Sequence, residues 1–250
     1  DRVETAVYQK YSDQGLDLDS ELTVEPETET YALYTHLLWD AAIDTSVARA
    51  FDTHNDWVVT TIEAFSDLDS QLVVKTHPAE AVRGTQEGVM DVIDDEFDEL
   101  PSNVQVLEPT TEINTYDLVE FSDVSLVFAS TVGLESPYMG TPVISVGDAH
   151  YANKGFTHDV ETPTEYVELL RQPADAIDLT EKQRRHAVRY AYNFFIERPF
   201  YIDAFDFAPE TDRTLSTTSF ESLMADDDLD AILDAIDAYD SGFYHFVQSG

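Results

Sequence analysis

The sequence predicts an α/β fold in which a parallel sheet carries helices on both faces and a helical extension follows. Two observations predict it. Between residues 31 and 146, short apolar runs alternate with segments of helical spacing, the order that gives parallel strands joined by right-handed helical crossovers. The run at residues 126–129 is apolar without alternation, which is typical of strands buried on both faces.

The predicted strands share short apolar runs and lie at residues 31–38, 71–75, 103–107, 125–129 and 142–146. The predicted helices share apolar residues at intervals of three or four and lie at residues 52–65, 85–100, 111–121, 132–139, 165–171, 181–197 and 219–238. Residues 1–29 are polar and acidic, so we expect a lead-in or linker there. An α/β domain is then expected at residues 30–175, and a helical C-terminal extension at residues 176–250.

The charge of the chain is its most unusual global property. Thirteen Lys and Arg residues stand against 51 Asp and Glu residues, which gives a formal net charge of −38. The carboxylates are spread along the sequence, which favours adaptation to high salt, where the Debye length falls to about 3 Å at 1 M. The alternative, a strongly acidic partner-binding protein, predicts a concentrated acidic block. Nucleic acids are not expected as partners, because phosphate binding needs clustered Lys and Arg.

Several classes of chemistry are excluded or not indicated. The sequence contains no cysteine, so disulfides and thiolate chemistry are excluded. No metal site is predicted, because the seven histidines lack the paired spacing of zinc motifs. No apolar run approaches the length of a membrane span. The expected location is the cytoplasm, including the inner face of the membrane.

The first candidate binding segment is Val-Lys-Thr-His-Pro at residues 74–78, at the end of an apolar strand. Ligands of open parallel sheets bind outside the carboxyl ends of the strands. Lys75 and His77 would offer donors to a phosphate in a chain with few other cations. The alternative is a polar strand end with a surface histidine.

The second candidate segment lies at residues 129–135, where a strand runs into a helix. Ser130 and Thr131 stand at the start of that helix, where exposed N–H groups and the helix dipole attract anions. Gly133 removes a side chain where a phosphate could approach the backbone, and Glu135 could bond ribose hydroxyls. Pro137 predicts an irregular or late start of the helix. The alternative is an ordinary helix cap.

The third candidate segment is the loop at residues 147–151, which follows the predicted strand at residues 142–146. It carries His150 and Tyr151 at the same edge of the sheet, with Lys154 shortly after. A plain surface loop is the alternative interpretation.

Taken together in this order, these segments resemble the capsule polysaccharide biosynthesis family of glycosyltransferases. The matching motifs span about residues 31–170. They are residues 38–40 (Leu-Trp-Asp), 56–57 (Asp-Trp), 74–80 (Val-Lys-Thr-His-Pro-Ala-Glu), 130–135 (Ser-Thr-Val-Gly-Leu-Glu), 139–144 (Met-Gly-Thr-Pro-Val-Ile) and 151–157 (Tyr-Ala-Asn-Lys-Gly-Phe-Thr).

The resemblance implies the C-terminal, donor-binding domain of a GT-B enzyme, a Rossmann-like fold that binds a nucleotide-sugar as substrate and needs no cofactor or metal. The implied partners are that donor and a glycan or lipid-linked acceptor. The donor-binding residues implied at the sheet edge are Lys75, His77, Ser130, Thr131, Gly133, Glu135 and Tyr151. Lys75 and His77 would neutralise the leaving nucleotide, Ser130 and Thr131 would add hydrogen bonds, and Glu135 would lie near the ribose or base.

The resemblance also implies a partner half. A GT-B enzyme has an N-terminal Rossmann domain that binds the acceptor and often supplies the general base, and about 30 polar residues precede the predicted domain here. We therefore expect a fragment or a separate partner half, and assign no catalytic residue. Two alternatives stay open. One is a non-hydrolysing UDP-GlcNAc 2-epimerase-like enzyme, which residues 135–143 also resemble, and the other is a non-catalytic scaffold that retains the fold.

Overall fold

The protein is described by a computed structural model at residues 21–25, 27–37, 48–78, 80, 88–111, 113–197, 205–206 and 214–215. Its centre is a six-stranded sheet made of β1 (Thr30–Tyr34), β2 (Gln71–Lys75), β3 (Val104–Leu107), β4 (Val124–Val127), β5 (Val143–Ser145) and β6 (His158–Asp159). The strands lie in the order β3-β2-β1-β4-β5-β6, and every neighbouring pair is parallel. This is the strand order of a doubly wound, Rossmann-like sheet.

The helices around the sheet are α1 (His54–Phe65), α2 (Val89–Glu96), α3 (Thr115–Phe121), α4 (Val132–Met139), α5 (Pro163–Leu170) and α6 (Glu181–Tyr192). A 3₁₀ turn (Ala174–Ala176) precedes α6, and a π-helical turn (Asn193–Glu197) follows it. No helix within the described ranges is long and apolar enough to cross a membrane.

The two faces of the sheet bury separate apolar clusters. On one face, α1, α2 and α5 pack their buried residues against alternate positions of the strands, such as Leu33 and Val74. On the other face, α3 and α4 cover the intervening positions, such as Ala32 and Val73. This alternation follows from the two-residue period of a strand. The predicted fold class, a parallel sheet with helices on both faces, is confirmed.

Most element boundaries agree with the sequence within a few residues. The strand at residues 71–75 and the helix at residues 132–139 have the predicted bounds. Helix α1 begins at His54, because the Thr53 side chain accepts a hydrogen bond from the Asp56 amide and caps the first turn. Helix α2 is shorter than predicted, since Phe97 has extended backbone angles after Glu96. Strand β6 was not predicted, because two polar residues give no periodic signal.

The end of the acidic lead-in is hydrogen-bonded to strands β2 and β3. The Thr23 amide and hydroxyl both donate to Gln105, at 2.8 and 3.0 Å. Gln71 exchanges two bonds with the backbone of Glu25, at 2.6 and 2.8 Å. Residues 1–20 of the predicted lead-in lie outside the described residues.

The chain divides into two compact units, Asp1–Asn193 and Phe194–Gly250. Helix α6, which the sequence analysis placed in the C-terminal extension, packs against α4 inside the first unit. In the second unit, β7 (Phe205–Asp206) pairs antiparallel with β8 (Thr214–Leu215). The helix predicted at residues 219–238 lies outside the described residues.

Candidate functional site

The strand order defines where a ligand crevice should lie. From β1 the chain moves outward through β2 to β3, and then returns to β4 on the other side of β1 before it moves to β5 and β6. The switch point therefore lies between β1 and β4, and open α/β sheets bind ligands outside the carboxyl ends of the strands there. All seven predicted site residues lie at or beyond such a strand end, on three segments.

The turn after β4 is held by hydrogen bonds within itself. The Ser130 hydroxyl accepts from the Val132 amide at 3.3 Å. The Gly133 amide donates to the Ser130 carbonyl at 3.0 Å, and the Leu134 amide donates to the Thr131 carbonyl at 2.9 Å. The first-turn amides of α4 named here thus already have acceptors. The Thr131 side chain is exposed and caps no amide, so its hydroxyl can reach a ligand.

Gly133 and Tyr151 form one packing unit. The Tyr151 side chain is fully buried, and its hydroxyl donates to the Ser130 carbonyl at 2.6 Å. A Cβ at Gly133 would overlap the phenol ring and hydroxyl of Tyr151. The space that the sequence analysis left for a phosphate is therefore filled by this ring. Burial also raises the pKa of the Tyr151 phenol well above its usual range, so it stays protonated.

Two histidines that the sequence analysis did not select connect the two strands of the switch point. The Ala129 amide, after β4, donates to Nε2 of His36, after β1, at 2.9 Å. The His36 amide in turn donates to Nε2 of His54 at 3.1 Å. His54 is 3% exposed at the start of α1, and burial, followed by the charge of His36, lowers its pKa to about 3. The neutral His54 ring is therefore an acceptor that fixes His36.

Lys75 ends β2 as a buried cation. Its side chain lies on the α3 and α4 face of the sheet, in register with Tyr34 of β1 and Leu107 of β3. The residue is 6% exposed, and burial lowers the pKa of its ammonium group. Among the described residues, no carboxylate lies within ion-pair distance of it, since both ion pairs found there belong to Arg49. A buried charge without a counterion is costly.

The residues next to Lys75 continue the same strand end. Thr76 is buried and its hydroxyl donates to the Leu107 carbonyl at 2.6 Å. His77 is half-buried and its carbonyl accepts from the Glu80 amide at 3.0 Å. Lys75 is thus held at the carboxyl end of β2, with His77 two residues beyond it.

Glu135 lies one turn into α4. Burial raises the pKa of its carboxyl group, and a hydrogen bond from the Tyr116 hydroxyl at 3.1 Å opposes that shift. Its charge also acts on the phenols of Tyr34 and Tyr151. Tyr34 pairs in register with Lys75 of the neighbouring strand. The structure brings Lys75, Glu135 and the turn after β4 to one edge of the sheet.

Arg49 is a further residue that the sequence did not indicate, and it contacts the ends of β5 and β6. Its guanidinium donates to the carbonyls of Ser145 and Val160 at 2.6 and 3.0 Å and lies 3.5 Å from the Asp159 carboxylate. It therefore ties the ends of β5 and β6 together. Because these acceptors come from residues about 100 positions away, no local motif in the sequence marks Arg49.

The open groove of the structure lies away from this edge. This groove, of about 610 Å³, lies around β6 and α5, and its lining includes the acidic Asp159, Glu165 and Glu168, which do not suit a phosphate. Within the described ranges, no group of three or more His, Asp or Glu side chains is arranged to hold a metal ion.

Comparisons with solved structures found distant similarities to three proteins of the following kinds. The Thermosulfurimonas dismutans KpsC beta Kdo 2,4 transferase shares 20% identity at a TM-score of 0.45, over 66% of this chain and 45% of its own. The Neisseria meningitidis UDP-GlcNAc 2-epimerase shares 13% at 0.43, over 78% and 49%. A variant of the wall teichoic acid polymerase TagF shares 13% at 0.45, over 78% and 46%. The chain thus spans about half the length of these structures.

The family comparison is more direct. No curated protein sequence matches the chain closely enough to count as a relative. The profile of the family described as capsule polysaccharide biosynthesis protein, in contrast, matches residues 2–195. That range covers more than half of the 250 residues and includes the whole sheet and the edge with Lys75 and Glu135. The chain belongs to the capsule polysaccharide biosynthesis protein family.

Proposed function

We propose that the unit Asp1–Asn193 binds the nucleotide of a sugar donor at the carboxyl edge of its sheet, as part of a glycosyltransferase that builds capsule-type polysaccharide. Membership of the capsule polysaccharide biosynthesis family supports the biological setting. The strand order supports the place, since the switch point between β1 and β4 is where doubly wound sheets bind nucleotides.

The observation that carries the proposal is the buried position of Lys75 at the end of β2. Moving a charge out of water costs several kcal/mol unless a counterion or hydrogen bonds compensate it, and the described residues provide no carboxylate for it. An incoming anion would compensate the charge of a largely buried lysine at this strand end, in a chain with few other cations. Perturbed ionisable groups of this kind cluster at functional sites.

The other predicted residues have compatible roles. His77 lies beside Lys75 and would add a donor to the phosphates, and the exposed Thr131 hydroxyl would add another from the opposite side of the switch point. The Ser130 hydroxyl accepts from Val132 but can still donate its proton. Gly133 and Tyr151 act by shaping the turn. Leaving-group stabilisation by such fixed donors is the main demand of transfer from a nucleotide-sugar.

The remaining parts of the reaction are also proposals. We propose a glycan or lipid-linked acceptor and an opposing Rossmann domain that binds it, which the resemblance to GT-B enzymes implies. No residue of the described edge is assigned as the general base. The nucleotide-sugar is a substrate in this scheme, with no cofactor.

A thermal-shift titration of the protein with CMP, UDP, GDP, dTDP and ADP tests the donor site. One nucleotide is expected to raise the melting temperature, because a ligand bound only by the folded state stabilises it. In Lys75→Met, affinity for that nucleotide should fall by about 10- to 100-fold, the loss of a charge-assisted hydrogen bond worth about 1.5–3 kcal/mol. The unliganded variant should be at least as stable, because the buried charge is gone.

Lys182→Met is the matched control, since Lys182 is an exposed lysine of α6. Its nucleotide affinity should equal that of the wild type. Full nucleotide affinity in Lys75→Met would remove Lys75 from the site. No response to any nucleotide would favour the scaffold alternative, and conversion of a nucleotide-sugar without an acceptor would favour the epimerase alternative.

We also propose that the protein is adapted to high salt. A net charge of −38 repels itself in dilute buffer, and added salt screens that repulsion. The melting temperature measured by circular dichroism should rise from dilute to molar KCl. A melt that does not respond to KCl would contradict this proposal and leave the donor site untouched.

A further inference from the structure

The cations of the chain are unevenly placed. Four of its 13 Lys and Arg residues lie within the 12 residues of α6, and the only acidic residue of that helix is Glu181 in its first turn. The four are Lys182, Arg184, Arg185 and Arg189. For a chain with 51 carboxylates, this is a local reversal of charge.

Three of these cations form one outward-facing strip. Ala187 and Ala191 are the buried residues of α6 and lie on the side that packs against α4. At 100° per residue, Lys182, Arg185 and Arg189 fall within about 60° of one another on the opposite side. All three are exposed. We call them the α6 ridge, and it extends for about 10 Å along the helix.

Within the described residues, the ridge cations have no ion-pair partner. Both ion pairs among the described residues involve Arg49, so no carboxylate there lies within 4.0 Å of Lys182, Arg185 or Arg189. A solvated helix face in an acidic chain would ordinarily mix carboxylates with cations. The ridge is therefore a positively charged surface among the described residues.

Two exposed apolar side chains of α6 lie beside the ridge. In the part of the chain that the structure describes, the large apolar residues that are exposed are Val188 (39%) and Tyr192 (54%) of α6 and Tyr138 (42%) of α4. Val188 and Tyr192 are four residues apart and flank the ridge on one side. Tyr138 belongs to the neighbouring helix α4, which packs against α6.

We propose that the α6 ridge docks this protein on an anionic phospholipid surface. A single convex helix offers no groove to enclose a glycan chain, whereas a flat bilayer contacts all three cations at once. Lysines and arginines near such a surface are attracted to its anionic headgroups, and a tyrosine is suited to the interface. The acidic remainder of the protein is repelled by the same headgroups, which orients α6 toward the bilayer.

This docking goes beyond the donor site and does not depend on it. The ridge contains none of the residues proposed to bind the nucleotide, and lipid binding is measured without nucleotide. Failure of one proposal therefore leaves the other standing.

Flotation of the full chain with vesicles tests the docking, at a KCl concentration where circular dichroism shows the fold intact. Vesicles of phosphatidylcholine with phosphatidylglycerol should bind the wild type, and pure phosphatidylcholine should not. At an ionic strength of about 0.15 M, Arg185→Gln/Arg189→Gln should bind about 25-fold more weakly, at roughly fivefold per cation, and by a smaller factor in stronger salt. Raising the salt should weaken wild-type binding, because the attraction is screened.

The matched control is Lys154→Gln/Arg171→Gln, which removes two exposed cations elsewhere in the unit and should bind like the wild type. Val188→Ser should weaken binding by a smaller factor, without any change in charge. Equal losses in the ridge and control variants would overturn the proposal, as would equal binding to both kinds of vesicle. Binding to soluble polygalacturonate but not to anionic vesicles would assign the ridge to an anionic glycan instead.

Discussion

The end of β2 and the turn after β4 lie at the same edge of the sheet, yet their polar groups are used in opposite ways. In the turn, the Ser130 hydroxyl accepts from Val132 and the Ser130 carbonyl accepts from Tyr151. The Ala129 amide has His36 as its acceptor. At the end of β2, the ammonium of Lys75 is buried without a carboxylate partner among the described residues.

This difference suggests separate roles for the two segments, a structural one for the turn after β4 and a binding one for Lys75. Hydrogen bonds that are satisfied within the protein fix the shape of the turn, because breaking them would leave buried polar groups unpaired. A buried charge without a counterion contributes no such stability, and perturbed ionisable groups of this kind cluster at functional sites. Ser130 and Gly133 thus shape the turn, and Lys75 is the residue that we propose binds the anion.

The largest expected effect is on the turn, in Gly133→Ala. The new methyl group would overlap the Tyr151 ring and hydroxyl, so Tyr151 must shift and lose its bond to the Ser130 carbonyl. Overpacking a core typically costs 1–3 kcal/mol, and the lost bond adds to it, so we expect about 3 kcal/mol less free energy of unfolding. Chemical denaturation measures this value.

Gly155→Ala provides the comparison. Gly155 has a φ of 81° but nothing within 4 Å of an added Cβ, so only backbone strain opposes the change, at about 1–2 kcal/mol. A Gly133→Ala protein that is no less stable than Gly155→Ala would show that Tyr151 does not brace the turn.

The sequence predicted the strand ends but not what holds them together. Lys75 could be placed at the sheet edge because an apolar strand and a following His-Pro pair are local signals. Tyr151 meets Gly133 across 18 residues of chain, and His36 meets Ala129 across 93. Such contacts depend on the order in which strands cross the switch point, which the local periodicity does not contain. The sequence therefore marked Gly133 as a position where a group approaches the backbone closely, but it did not reveal that this group is the Tyr151 ring.

The second effect concerns His54, whose ring supports the turn through His36. Its pKa is lowered to about 3 in the folded state, from 6.5 in the unfolded chain. The unfolded state therefore binds the proton first, so the stabilisation is complete above pH 6.5 and is lost as the pH falls toward 3. Linkage gives a loss of about 2 kcal/mol between pH 8 and pH 5 from this group.

A comparison with His54→Gln isolates this contribution, because protonation of many carboxylates also changes stability at low pH. The amide oxygen of Gln can still accept from the His36 amide but does not titrate. Chemical denaturation at pH 8 and pH 5 should show a drop in the wild type that is about 2 kcal/mol larger than in the variant. Equal drops in both proteins would mean that His54 is solvated enough to take up a proton in the folded state.

The smallest effect is expected at Glu135, and its sign is opposite. Burial raises the pKa of this carboxyl group, so its ionised form lowers the stability of the fold at every pH above its folded-state pKa, and that penalty fades as the pH falls toward its unfolded value. Glu135→Gln keeps an oxygen for the Tyr116 hydroxyl bond and removes the charge. The free energy of unfolding at pH 7 should therefore rise by less than about 1 kcal/mol, the scale of a single net hydrogen bond. If Glu135 contacts the ribose or base, the same variant should bind nucleotide more weakly while it melts higher, the pattern also expected for Lys75→Met. A variant that is less stable than the wild type would instead place Glu135 with the bracing residues of the turn.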